Sequence, residues 1–161
     1  MKSPRVGFTL VEIMIAVGLL AVIAGITLGV TLQVNRHYAT GVALSELETR
    51  GQWALSLLAE EMGDAGLTTV TLLSGDSLSF SRNTGYAGGI LWSTPITFEQ
   101  VGSQILRRQD GIDQVIATDV PVGGLVFTLS GRQLTLSLTR ETLIEEVAVQ
   151  KTVSTTITLM N

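Results

Sequence analysis

The chain has no cysteine, three prolines, one histidine and few aromatic residues (5%). Without cysteine there is no disulfide framework and no thiolate metal site. A lone histidine, His37, without cysteine partners does not make a transition-metal centre. No proline lies between Pro4 and Pro95, so no proline kink interrupts a helix in that stretch. Basic residues are in deficit, 10 against 14 acidic, for a formal net charge of −4. That balance argues against a general nucleic-acid binder. No serine sits in a nucleophile elbow and no glycine-rich phosphate loop is present. The expectation is therefore no enzyme activity: no catalytic, cofactor-binding or metal-binding residue is assigned.

What is present is one long apolar run. Phe8 to Val34 reads FTLVEIMIAVGLLAVIAGITLGVTLQV, with a single carboxylate, Glu12, near its start. The uncharged part from Ile13 to Val34 is about 22 residues, long enough to span a bilayer as a helix. Lys2 and Arg5 precede it, so the positive-inside rule puts the N-terminus in the cytoplasm and the rest across the membrane. Roughly 125 residues remain after it, enough for one modest domain. His37 falls just past the run and reads as an interfacial polar residue.

Three readings of this N-terminus compete. A secretory signal peptide needs an apolar core of about 7–15 residues and a small-x-small cleavage site. This run is longer, and Ala21-Val22-Ile23-Ala24 fits that site poorly. A plain bitopic anchor explains the length but gives Glu12 no purpose, and an acid inside such a stretch is by default a functional residue. In the third reading, Gly7-Phe8-Thr9-Leu10-Val11-Glu12 resembles the prepilin cleavage and methylation motif of type IV pilins and pseudopilins. The resemblance implies cleavage between Gly7 and Phe8, N-methylation of Phe8, and an assembly role for Glu12. Glu12 of one subunit would meet the Phe8 ammonium of its neighbour. Apolar residues each gain about 0.3–0.6 kcal/mol on insertion, so the helix tolerates an acid at one end. Gly18, Gly25 and Gly29 permit close helix approach, allow local unwinding, or reflect the general frequency of glycine in membrane helices. Many major pilins carry a proline here; this chain does not.

Beyond Val34 the pattern becomes amphipathic. Leu44, Leu47, Ala54 or Leu55, Leu58 and Met62 recur at helical spacing, with Glu46, Glu48, Arg50, Glu60 and Glu61 on other faces. Asp64-Ala65-Gly66 reads as a stop, with Gly66 at C′. One helix from about Phe8 to Ala65 is expected, weakened at Gly41 and Gly51 by about 1 kcal/mol each.

From Leu67 the period is two. Val70–Leu73 and Leu78–Phe80 flank one turn; Ile96–Gln100 and Gln104–Arg108 flank another. Asn83–Gly89 reads as a loop. Leu125, Phe127 and Leu129 alternate with polar or smaller residues, as do Leu134, Leu136 and Leu138 after a Gly131-Arg132 turn of type II′. Val153, Thr155, Ile157 and Leu159 form a last strand. The expected fold is α+β: a long helix, apolar then amphipathic, on an antiparallel β-sheet head, as in pilins. The expected segments are a leader (1–7), a transmembrane and filament-core helix (8–35), an amphipathic continuation (36–66) and a β-rich head (67–161).

The head extends the resemblance. Arg50-Gly51-Gln52-Trp53-Ala54-Leu55, with Leu58, Ala59, Glu61, Ala65 and Gly66, looks like the helix end of PilW-type minor pilins and J-type pseudopilins of type II secretion. Ile96-Thr97-Phe98 running on to Leu106-Arg107-Arg108, Gln114–Ala117 with Val120, and Thr158–Asn161 are similar too. The resemblance implies a minor pilin of the inner membrane with an extracytoplasmic head, later part of a pilus or pseudopilus. Implied partners are other pilins or pseudopilins, the prepilin peptidase, the inner-membrane assembly platform and, before assembly, membrane lipid. Pilus work would be adhesion, twitching motility or DNA uptake, so nucleic acid enters only through the filament. A J-type pseudopilin is the alternative, and a membrane-anchored binding module or enzyme outside the cytoplasm is one of another class.

Minor candidates have bland readings. Asp110-Gly111-Ile112-Asp113 offers oxygens to calcium but reads as a solvated turn, since an oxygen cage takes six or more ligands. Arg107 and Arg108 suit phosphate but read as a solvated strand edge. Trp53 and Trp92 read as core or interface anchors.

Overall fold

The computed structural model describes residues 9–159. One helix, α1 (Leu10–Gly63), leads through a short 3-10 turn (Leu67–Thr69) into the strands. These are β1 (Thr71–Ser74), β2 (Ser77–Phe80), β3 (Asn83–Tyr86), β4 (Ile90–Trp92), β5 (Ile96–Val101), β6 (Gln104–Gln109), β7 (Ile112–Ala117), β8 (Leu125–Ser130), β9 (Gln133–Ile144) and β10 (Val147–Thr158). Every strand pairing is antiparallel. The sheet orders are β1-β2-β5-β6-β7, β10-β9-β8 and the separate pair β3-β4. An apolar N-terminal helix whose later turns pack on antiparallel sheets is the α+β layout expected from the periodicities.

The chain divides into two compact units, Met1–Gly41 and Val42–Asn161. In the described part of the first, α1 runs unbroken through Gly18, Gly25 and Gly29, and a Cβ at any of the three would meet nothing. The large apolar side chains from Leu10 to Val34 are exposed. The hydroxyls of Thr27 and Thr31 donate to the carbonyls of Ile23 and Thr27, each at 2.8 Å. These polar groups are thus satisfied inside the helix, which lowers the cost of placing them in lipid. Among the described residues this is the one helix long and apolar enough to cross a membrane, compatible with an anchor.

In the second unit, α1 buries Leu47, Gly51, Ala54, Leu55, Leu58 and Met62. Spacings of three and four put them on one face. Of these, Ala54, Leu55, Leu58 and Met62 meet Leu78, Phe80, Ile96, Phe98 and Ile105 from the five-stranded sheet, and Leu125, Phe127, Leu134, Leu136 and Leu138 from the three-stranded one, in one core. The register sets Leu78 opposite Phe98 and Phe80 opposite Ile96, and the two phenyl rings stack with centroids 5.7 Å apart. The expected stripe holds from Leu47 to Met62; Leu44 is only half-buried.

Two glycines in this unit, Gly51 and Gly66, act through space rather than flexibility. A Cβ on Gly51 would lie 2.8 Å from a methyl of Val153, so the missing side chain lets α1 approach β10. Gly66 does not adopt the left-handed C′ conformation: its φ is −79°. The helix stops at Gly63, and a Cβ on Gly66 would lie 2.5 Å from the Trp92 ring.

Both early hairpins and the β8–β9 hairpin form where alternation places them, the last turning at Gly131 with φ 58°. Asn83–Gly89 is not a plain loop. Its first half is β3, paired with β4. Both strands are exposed along their length, so there is no alternation to read. Backbone ties hold them instead: Asn83 N–H to the Asp64 carbonyl (3.0 Å) and Ser93 N–H to the Arg82 carbonyl (2.8 Å).

Two further hairpins turn on residue pairs with positive φ. Asp110 (53°) and Gly111 (77°) join β6 to β7, and Glu145 (48°) and Glu146 (68°) join β9 to β10. Both have the signs of a type I′ turn, whose twist matches that of paired strands. Asp-Gly suits such a turn; Glu-Glu does not.

Candidate functional site

The N-terminus of α1 is closed by two side chains. Thr9 N–H and Thr9 Oγ1 donate to Glu12 Oε2 at 2.8 and 2.9 Å, while Glu12 N–H donates to Thr9 Oγ1 at 3.3 Å. This reciprocal arrangement is a capping box, which satisfies backbone donors that a helix start leaves unpaired. The Thr9-x-x-Glu12 spacing ahead of an apolar run carries that signal in the sequence, a local role beside the assembly role that the resemblance implies for Glu12. Its carboxylate already has a local job, and both bonds from Thr9 fall on one oxygen. Among the described residues, Thr9 is the partner of the Glu12 carboxylate. Gly7 and Phe8, the expected cleavage and methylation positions, lie outside the described residues.

The candidate sites of the head resolve into internal contacts. Arg107 and Arg108 are not at a sheet edge, because β6 lies between β5 and β7. Arg107 Nε bonds both oxygens of Glu61 on α1 (2.9 and 2.8 Å), and its Nη2 bonds Gln109 Oε1 (2.7 Å). Arg108 reaches Glu99 (2.5 Å) and Asp113 (3.1 Å). Both guanidiniums are spent on carboxylates of the same chain, which corrects the solvated-edge reading and opposes a phosphate role. Asp113 is spent by the same contact, and Asp110 opens the I′ turn. Among the described residues no cluster of three or more His, Asp or Glu side chains could hold a metal ion. The tryptophans differ: Trp92 packs on Gly66, whereas Trp53 is 61% exposed on α1 and is no core anchor.

Two residues with distant partners had no signal in the sequence. Arg140 occupies the next inward position of β9 after Leu134, Leu136 and Leu138, and is only 4% exposed. Its Nε donates to the Thr118 carbonyl (3.1 Å) and its Nη2 to Asp119 (3.3 Å). Gln100 on β5 donates to the carbonyls of Pro121 (2.7 Å) and Gly102 (3.0 Å) and accepts from Leu125 N–H (3.1 Å). One side chain thus fastens the connection between β7 and β8, and with it the junction of the two larger sheets.

The helix is flanked by a groove on either side. One, of about 500 Å³, lies between Glu48, Gln52, Leu55 and Ser56 and strand β10 from Lys151 to Thr155. The other, of about 280 Å³, lies between Arg50 and Trp53 and the end of β7. Neither contains a histidine. No protein-family model matches the chain, and no curated protein or solved structure is detectably similar to it.

Proposed function

We propose that the chain is a minor type IV pilin, a filament subunit made as a membrane precursor and matured by prepilin peptidase. The observation that carries this reading is the Thr9–Glu12 box at the head of a helix whose apolar side chains are exposed. The box spends one carboxylate oxygen on the helix's own start and keeps the acid against Thr9. Cleavage after Gly7 would liberate an ammonium on Phe8, and Glu12 of an adjacent subunit would pair with it. Charge pairing of this kind gains strength as water is excluded. The exposed apolar face suits lipid first and neighbouring helices afterwards. The head would then be displayed outside the cytoplasm, with work that is mechanical and associative rather than catalytic. A J-type pseudopilin of type II secretion shares every one of these features.

The test is mass analysis of the N-terminus of protein taken from the native cell. Loss of residues 1–7 with a methyl group on Phe8 is expected. An intact N-terminus on protein that never enters a fibre would leave a membrane-anchored binding module as the better reading. Glu12→Val is expected to insert and to be cleaved but to assemble poorly. Incorporation at the unsubstituted level would sink the ammonium pairing.

A further inference from the structure

Unpaired sheet edges invite other strands, and natural proteins blunt them with shortness, charge, proline, bulges or cover. In the larger sheets the outer edges beside α1 are β7 and β10. The opposite edges are protected: β1 has four residues, and β8 is tied to the other sheet by Phe127 N–H donating to the Gly75 carbonyl at 2.8 Å. β10 has 12 residues in unbroken register with β9, no proline, and one charge, Lys151, which Glu48 pairs at 3.1 Å. β7 has six residues, bulged only at Ile116 near its end, and its one charge, Asp113, is held by Arg108. Ile112 and Val115 on β7 are 70% and 50% exposed.

The two edges run in opposite senses along the helix. On β10, Lys151 meets Glu48 and Val153 meets Gly51, so strand and helix ascend together. On β7, Ala117 lies beside Arg50 and Trp53, whereas Gln114 is paired with Arg107, which reaches Glu61, so the strand descends. Copies anchored in one membrane share a helix direction. Between such copies β10 and β7 meet antiparallel, whereas β10 against β10 would meet parallel, the slightly less stable pairing, unless one copy were inverted.

We infer that β10 of one copy adds to β7 of the next, continuing the three-stranded sheet of the first into the five-stranded sheet of the second. This rests on the single-membrane reading above. The contact is head-to-tail, so it propagates rather than closing as a two-fold dimer. It would cover Ile112, Val115 and the half-buried Val153 and Ile157. Six residues a side is well short of the roughly 20–30 of a standard interface. Edge pairing therefore supplements helix association and sets the rotational position of neighbouring heads.

The absence of cysteine makes cross-linking clean. The full chain, in membranes of the producing cell, carries Val115→Cys together with Ser154→Cys or Thr156→Cys. Opposed residues on paired strands bring Cβ atoms to about 4.5–5.5 Å, close enough for a disulfide on oxidation. The expected result is a ladder of multimers, about tenfold above a control with Val115→Cys and Thr128→Cys, since Thr128 lies on the tied edge. A single-cysteine variant giving dimers as efficiently would overturn the head-to-tail assignment. No ladder from protein that is matured and enters fibres would refute the edge pairing and leave the pilin reading intact. A ladder from protein that keeps its first seven residues would uphold the edge pairing and refute the pilin reading.

Discussion

Arg107 Nε stands 2.9 and 2.8 Å from the two carboxylate oxygens of Glu61, joining the middle of β6 to the last turns of α1. Both side chains are largely shielded from water, at 15% and 18% exposure. Removing one partner leaves a shielded charge without its counter-charge, which costs more than the pair contributes. Arg107→Leu is expected to destabilise the head by about 1–3 kcal/mol. The double variant with Glu61→Leu should recover part of that loss. Denaturant unfolding of the four-member mutant cycle measures it, and strictly additive losses would show that the pair is not coupled.

Gly51→Ala sets helix propensity against packing. Alanine is favoured in a helix by about 1 kcal/mol, yet its Cβ would sit 2.8 Å from a Val153 methyl. We expect net destabilisation of about 1 kcal/mol or more, as for other overpacked sites. Val153→Ala in the same chain should relieve it, making the pair more stable than Gly51→Ala alone by thermal unfolding. A stabilised Gly51→Ala would mean that β10 yields freely to the helix.

Gln100→Leu removes the donor to the Pro121 carbonyl and the acceptor for Leu125 N–H while keeping a similar side-chain size. Each shielded backbone group left unpaired costs about 1–3 kcal/mol. Hydrogen exchange should accelerate first at Leu125 N–H and then along the start of β8. Unchanged exchange there would show that water substitutes for the amide without penalty.

Glu146→Gly is expected to stabilise the chain. Glu146 sits at φ 68° in the β9–β10 turn, where an L-residue with a side chain pays about 1–2 kcal/mol. Glycine escapes that strain and loses about 0.5–1 kcal/mol of it to its own flexibility when unfolded. A gain of about 0.5–1 kcal/mol in unfolding free energy should result. A loss would show that the glutamate side chain holds the hairpin tip more strongly than strain opposes it.

Much of this architecture was legible one residue at a time. The apolar run, the stripe from Leu47 to Met62 and the alternation through Leu125–Leu129 and Leu134–Leu138 each state their element in neighbouring positions. The turn at Asp110-Gly111 and the box Thr9-x-x-Glu12 are equally local: the first reads as a turn from its residues, while the second draws attention in the sequence only through its acid. β3 and β4 were not legible, because exposed strands carry no alternation. The partners of Arg107, Arg140 and Gln100 were not legible either, since each lies 20 or more residues away along the chain for its defining contact.

Sequence alone therefore determined the long helix, its apolar and amphipathic parts, and the two-faced strands, because periodicity depends only on which residues follow one another. Tertiary structure decided that Gly51 is a point of contact, that Arg107 is not a surface cation, and that β7 and β10 are left open on either side of α1. Those outcomes depend on which distant segments close against each other, and no local pattern of polar and apolar residues encodes that choice.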